Sequence, residues 1–170
     1  MTEKGPVLNE DQWPQIRKAK AGAKTAWGYF GSLVKILHEK LGERETAKVL
    51  EELMIQNARK YFVPGLKSFG IDDIDPYSLA SYFKLTTGEI IGYDVEIESV
   101  SSDEVTYRLH PPCIWFPDLD IPASFCRALG AFEREAVRLV NPDLEVQMVK
   151  LMTEGHSCCE LVFKSKRNET

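Results

Sequence analysis

The chain is predicted to fold as α+β, with a long N-terminal helical hairpin packed on a four-stranded antiparallel sheet of ββ-α-ββ order. Three patterns in its 170 residues carry that expectation. Apolar side chains fall at Ala23, Trp27, Phe30, Val34, Leu37 and Leu41. Their steps alternate four and three, the stripe of an amphipathic helix with coiled-coil character. A second stripe, at Ala47, Leu50, Leu53, Met54, Asn57, Ala58, Tyr61 and Phe62, follows the break at Gly42. At Tyr93 the period changes to two. Tyr93, Val95 and Ile97 alternate with Asp94, Glu96 and Glu98, and Val105, Tyr107 and Leu109 with Thr106, Arg108 and His110.

Each element then has its own signals. Residues 1–10 read as a loose terminus, and Pro14 suits a first helical turn, where its missing N–H leaves no bond unmade. Gly22, Gly28 and Gly31 each weaken the first helix by up to about 1 kcal/mol relative to alanine. They point either to close approach of a neighbour or to a loosely specified helix. Pro64-Gly65 is expected to bend or end the second helix. Asp75 before Pro76 is a plausible N-cap for a short helix reaching about Thr87. Ser101-Ser102-Asp103 closes the first hairpin, and Pro111-Pro112 ends its second strand. An aromatic and proline-rich loop, Cys113 to Ile121, leads to a helix opened by Pro122 and stopped by Asn141-Pro142. That helix places Phe125, Leu129, Phe132, Ala136 and Leu139 on one face. Strands are expected from Leu144 to Met152 and from Cys158 to Phe163, with one face of the sheet polar and the other covered by helices. The length suits a single domain, 1–170, with a helical half (1–88) and a ββ-α-ββ half (89–166).

Composition narrows the function classes. Apolar residues make up 44% and charged residues 28%, ordinary values for a folded globular domain. A formal charge of −5 gives no electrostatic reason to expect nucleic-acid binding. The longest apolar run is far short of the roughly 20 residues of a membrane span. The opening residues, Met1 to Pro6, lack a signal-peptide pattern, so the cytoplasm is the expected location. There the four cysteines, Cys113, Cys126, Cys158 and Cys159, would stay reduced. The acidic run Asp72, Asp73, Asp75 reads as turn chemistry, since no EF-hand spacing follows.

The C-terminal third resembles a known family. Cys113-Ile-Trp-Phe, Phe125-Cys126-Arg127-Ala128, Val140-Asn141-Pro142-Asp143-Leu144 and Glu154-Gly155-His156-Ser157-Cys158-Cys159-Glu160 followed by Leu161-Val162-Phe163 resemble the L-2-amino-thiazoline-4-carboxylate hydrolase-like family. The last element is also similar to the closing strand of vinyl-reductase-type ligand-binding domains. The first resemblance implies opening of a small cyclic amidine-like ring. By position, Cys113, Cys126 and Cys159 match the family cysteines and Glu160 the acidic residue after the last of them. Leu129-Gly130 stand where acidic residues are expected. That departure and the aromatic-lined region support the alternative, a non-enzymatic small-molecule-binding or sensory module.

Ring opening needs a nucleophile, a proton donor and a cation for the carboxylate. The catalytic candidates are Cys113, Cys126, Cys159, His156 and Glu160, with Glu133 a further proton shuttle if burial raises its pKa. Arg127 or Arg108, with His110 and Trp115, are candidates for binding substrate. Trp115 and Phe116 suit a pocket wall. Cys126, near the start of its helix, would feel a dipole that favours thiolate. Strand alternation turns Cys159, Leu161 and Phe163 to the core, and Cys158 with Glu160 to the polar face, joined by His156 if the strand extends that far. Cys113, Cys126 and Cys159 are therefore expected to converge on one cavity between helix and sheet. An inert core thiol is the plain alternative for each cysteine. No cofactor is expected. A zinc site is disfavoured, because no Cys-x-x-Cys pair occurs and the ligands would come from three separate segments. The expected partner is a small molecule, with neither nucleic acid nor membrane, and a homodimer through the helical hairpin is a structural alternative.

Overall fold

A computed structural model of the chain describes residues 13–113, 115 and 120–166. Expectations for residues 1–10 and for Phe116 lie outside these. Helix α1 (Trp13–Leu41) and helix α2 (Glu43–Ser68) are joined at Gly42, whose φ of +77° suits a residue without a side chain. Helix α3 (Pro76–Phe83) is capped by Asp75, whose side chain accepts from the Ser78 amide at 2.9 Å. It runs directly into a π-helical turn, Lys84–Ile90. Strands β1 (Asp94–Ser101) and β2 (Glu104–His110) form the first hairpin. Helices α4 (Ala123–Leu129) and α5 (Ala131–Val140) follow, then β3 (Leu144–Lys150), a short 3-10 turn, and β4 (Cys159–Ser165). The sheet is antiparallel with order β1-β2-β4-β3, so β4 lies between β2 and β3 and joins the two strand pairs.

The expected fold class is the observed one, with four local differences. The second helix continues through Pro64 to Ser68. Burial of Phe62 and Leu66 on one face outweighs the bond lost at the proline, and the helix ends where Gly70 takes a φ of +65°. The short third helix does not stop near Thr87 but widens into the π turn. The helix after Pro122 is divided at Gly130, where the Met148 side chain of β3 leaves no room for a Cβ. Leu139, expected on the apolar face, is exposed.

Register explains the two faces of the sheet. Tyr107 pairs with Leu161 and Val105 with Phe163, and all four are buried beneath the helices. Phe62, Phe83 and Phe163 knit α2, α3 and β4 together, with ring centroids 5.7 Å apart for both Phe83 pairs. On the other face Arg108 bonds Glu98 and Glu160, each at 2.8 Å. Helix α2 packs across α4 and α5. There the buried Glu135 accepts from Arg59 at 2.7 Å and from Arg138 at 2.8 Å, contacts that hold its carboxyl down at about 2.

The π turn is anchored by a close approach. Gly88 accepts backbone bonds from Gly92 and Tyr93 at 2.7 and 2.8 Å, and a Cβ on it would collide with Val95 of β1. Val95 is β-branched and cannot swing aside cheaply. Gly88→Ala is therefore expected to cost about 1–3 kcal/mol, read as a lower urea midpoint at unchanged slope. An unchanged midpoint would show that the π turn moves freely.

Candidate functional site

The packing leaves a cavity of about 130 Å³ between the inner face of the sheet and the α4–α5 pair. Its floor is Tyr107, Leu109, Met148, Cys159, Leu161 and Phe163 from three strands. Cys126, Leu129, Gly130 and Glu133 form the roof. Phe83, Thr87, Ile91 and Tyr93 close one side, and Cys113, Trp115, Ile121 and Trp27 another. The lining is overwhelmingly apolar.

The α1 side is an aromatic wall. Trp27, Phe30 and Trp115 meet pairwise with centroids 5.3–5.6 Å apart. The Trp115 indole donates to the Trp27 carbonyl at 3.2 Å, which ties the loop after β2 to the first helix. Trp27 belongs to the helical stripe seen in the sequence; its second role as cavity wall depends on where the loop comes to rest.

Cys113, Cys126 and Cys159 all line this cavity, although they come from a loop, a helix and a strand. Their sulfurs are close enough that Cys113 opposes ionisation of Cys126, and both oppose that of Cys159. Cys113 Sγ lies 3.6 Å from the Tyr93 hydroxyl. Cys159 Sγ accepts from the Met152 amide at 3.3 Å. Burial pushes the Cys159 thiol up to about 11 and raises Cys126 as well. At Cys126 burial works against the thiolate that a helix start would favour. Among the described residues, no group of three or more cysteines, histidines and carboxylates is arranged to hold a metal ion.

Other predicted site residues lie elsewhere. Strand β4 begins at Cys159, so His156 stays in the preceding turn, exposed. Glu160 projects to the opposite face of the sheet, where Arg108 and Lys150 hold its carboxyl below the usual range. His110 shares that face and meets Glu96 at 3.1 Å. Arg127 is exposed and paired with Glu154, because a helix turns the residue after Cys126 away from the cavity. Cys158, expected on the polar face, is buried, just ahead of the strand.

Among the described residues, Glu133 is the one carboxyl on the cavity wall. Its Oε2 is fully buried and has no hydrogen-bond partner among the described residues. Burial pushes its pKa up to about 7. It also lines a second, more open cavity of about 470 Å³ between α1, α2 and α3.

No family model matches the chain, and no curated protein matches it. Solved structures do share its fold. A trafficking protein particle complex subunit 3 from Naegleria fowleri, covalently bound to palmitic acid, matches with a TM-score of 0.61 at 13% identity over 87% of this chain and 97% of that one. The phenol-responsive sensory domain of the transcription activator PoxR, with phenol, matches with a TM-score of 0.57 at 11% identity over 81% and 73%. An H-NOX domain from Shewanella oneidensis in its Fe(II)CO state matches with a TM-score of 0.51 at 14% identity over 94% and 90%. The fold is theirs. At such identities the likeness speaks for architecture alone. Among the described residues no helix is long and apolar enough to cross a membrane.

Proposed function

We propose that the chain is a non-enzymatic small-molecule-binding module of sensory type, whose mostly apolar ligand places a part of about the size of a single aromatic ring in the cavity beneath α4 and α5. The apolar cavity of about 130 Å³ carries this reading. An apolar cavity of roughly 150 Å³ is enough to hold benzene. The fold neighbours support it, since one is solved with phenol and another with a bound fatty acid.

The ring-opening hydrolase is the second reading, favoured by the three cysteines that line one cavity. Against it, burial raises the pKa of two of those thiols, and among the described residues neither an arginine nor a histidine lines the cavity to receive a substrate carboxylate. Calorimetric titration with benzene, toluene and phenol tests the binding reading. Saturable binding is expected in wild type. Cys126→Phe, which puts a ring where the ligand would sit, is expected to weaken toluene at least about tenfold while the protein stays folded by circular dichroism. Incubation with 2-amino-thiazoline-4-carboxylate is expected to yield no carbamoyl-cysteine. Turnover of that compound, lost in Cys113→Ala, would replace the binding reading with the hydrolase.

A further inference from the structure

Resting on that reading, the structure says more about the shape and chemistry of the ligand. The two cavities share Trp27, Thr87, Ile91, Leu129 and Glu133, so they adjoin along a common wall. The inner one is ring-sized and apolar. The outer one extends past Phe30, Leu53, Met54 and Asn57 toward Tyr61, which is half exposed. Glu133 stands at the junction. A buried acceptor without a partner is costly to fold around, and native structures rarely leave one. No described side chain answers it.

We propose that the two cavities form one bent site for an elongated, mostly apolar molecule, and that Glu133 is its polar anchor, accepting a hydrogen bond from a hydroxyl on the ligand. The ring end occupies the inner cavity and an alkyl or aryl extension the outer one. The terminal torsion of a glutamate is broad, so a small swing of the carboxyl turns either oxygen to the ligand. A hydroxyl fits better than an ammonium group. It satisfies the carboxyl without bringing a second charge into an apolar chamber, where desolvation opposes ion pairing.

Binding of four probes at about pH 8, where Glu133 is ionised, separates the parts of this idea: benzene, phenol, hexylbenzene and 4-hexylphenol. For wild type, 4-hexylphenol is expected to bind at least about tenfold tighter than hexylbenzene, the hydroxyl effect. It is expected to exceed phenol by a similar factor, the tail effect. Glu133→Leu should bring the two hexyl compounds to within about threefold. The isosteric Glu133→Gln should keep only part of the hydroxyl advantage, since a charge-assisted bond becomes a neutral one. Thr86→Trp, which fills the outer cavity, should reduce 4-hexylphenol to the level of phenol and leave phenol itself unchanged. Benzene binding without preference for the hydroxyl, or a preference that survives both Glu133 substitutions, would overturn the anchor. A tail that adds nothing in wild type would overturn the joined site. Failure of benzene and phenol alike would remove the binding reading underneath.

Discussion

Phe83→Ala is expected to lower the folding free energy by about 3–5 kcal/mol, the range for emptying a large, fully buried aromatic position. Phe83 is 1% exposed. It stacks on Phe62 of α2 with planes 12° apart, tilts against Phe163 of β4, and meets Tyr82 and Phe132 edge-on. One ring therefore joins the sheet to helices from both halves of the chain. The Tyr107 hydroxyl donates to the Phe83 backbone carbonyl at 3.3 Å, a bond the substitution keeps, so the loss isolates packing. Urea unfolding would measure it as a lower midpoint. Because Phe83 also lines the inner cavity, the vacated volume opens onto the proposed ligand chamber. Saturating toluene should then restore more stability to the variant than it adds to wild type. A loss below about 1 kcal/mol would mean that the aromatic cluster is not the joint between the two halves.

The fold was legible because periodicity is a direct record of burial. The four-and-three stripe of α1 and the alternation around Tyr93 each name the face turned inward, and Val34, Val95 and Tyr107 are buried as those patterns require. What periodicity does not record is how neighbouring elements meet. Pro64 signals an ending only if the chain gains nothing by continuing, and burial of Leu66 supplies that gain. The division at Gly130 lies against Met148, a residue 18 positions away in sequence that arrives through sheet packing. The π turn likewise depends on Val95 pressing on Gly88.

The site divides along the same line. Strand alternation turned Cys159, Leu161 and Phe163 inward together, and all three line the cavity. The same alternation carries Glu160 to the far face, where the pairing of β2 with β4 sets it opposite Arg108. Side-chain chemistry put Arg127 and His156 on the candidate list, yet residues close to a cysteine in sequence seldom share its direction. Glu133 had a stronger signal. It stands four residues after Leu129 and four before the buried Val137, on the apolar stripe of its helix. A carboxylate on such a stripe is either paired, as Glu135 is with Arg59 and Arg138, or left for something else. Only coordinates separate those two fates.

Glu133→Gln is expected to stabilise the protein at alkaline pH and to be nearly neutral in acid. In the unfolded chain the carboxyl titrates near 4.5, and in the folded protein burial moves it to about 7. Below about pH 4.5 both states hold the proton, and the group contributes no difference. Between these values the folded state keeps a proton that the unfolded state has released, so stability falls as pH rises. Above about 7 the folded protein carries a desolvated charge, and the accumulated loss is about 3 kcal/mol. Of the neighbours that act on this group, the Tyr107 hydroxyl is itself pushed upward by burial, out of the window, and the Arg134 guanidinium opposes the effect of burial only in part. Glu135, on the same helix, is held at about 2 and titrates below it. Subtracting the stability of wild type from that of the glutamine variant at each pH cancels groups common to both. The difference should rise from near zero at about pH 4.5 to about 3 kcal/mol at about pH 8.5. Parallel curves for the two proteins would show that the carboxyl is hydrated or paired in solution. A rising difference would show a carboxyl kept at a cost to stability, and a ligand hydroxyl that satisfies it would return part of that loss. Saturation with 4-hexylphenol at about pH 8.5 should therefore stabilise wild type more than it stabilises Glu133→Gln.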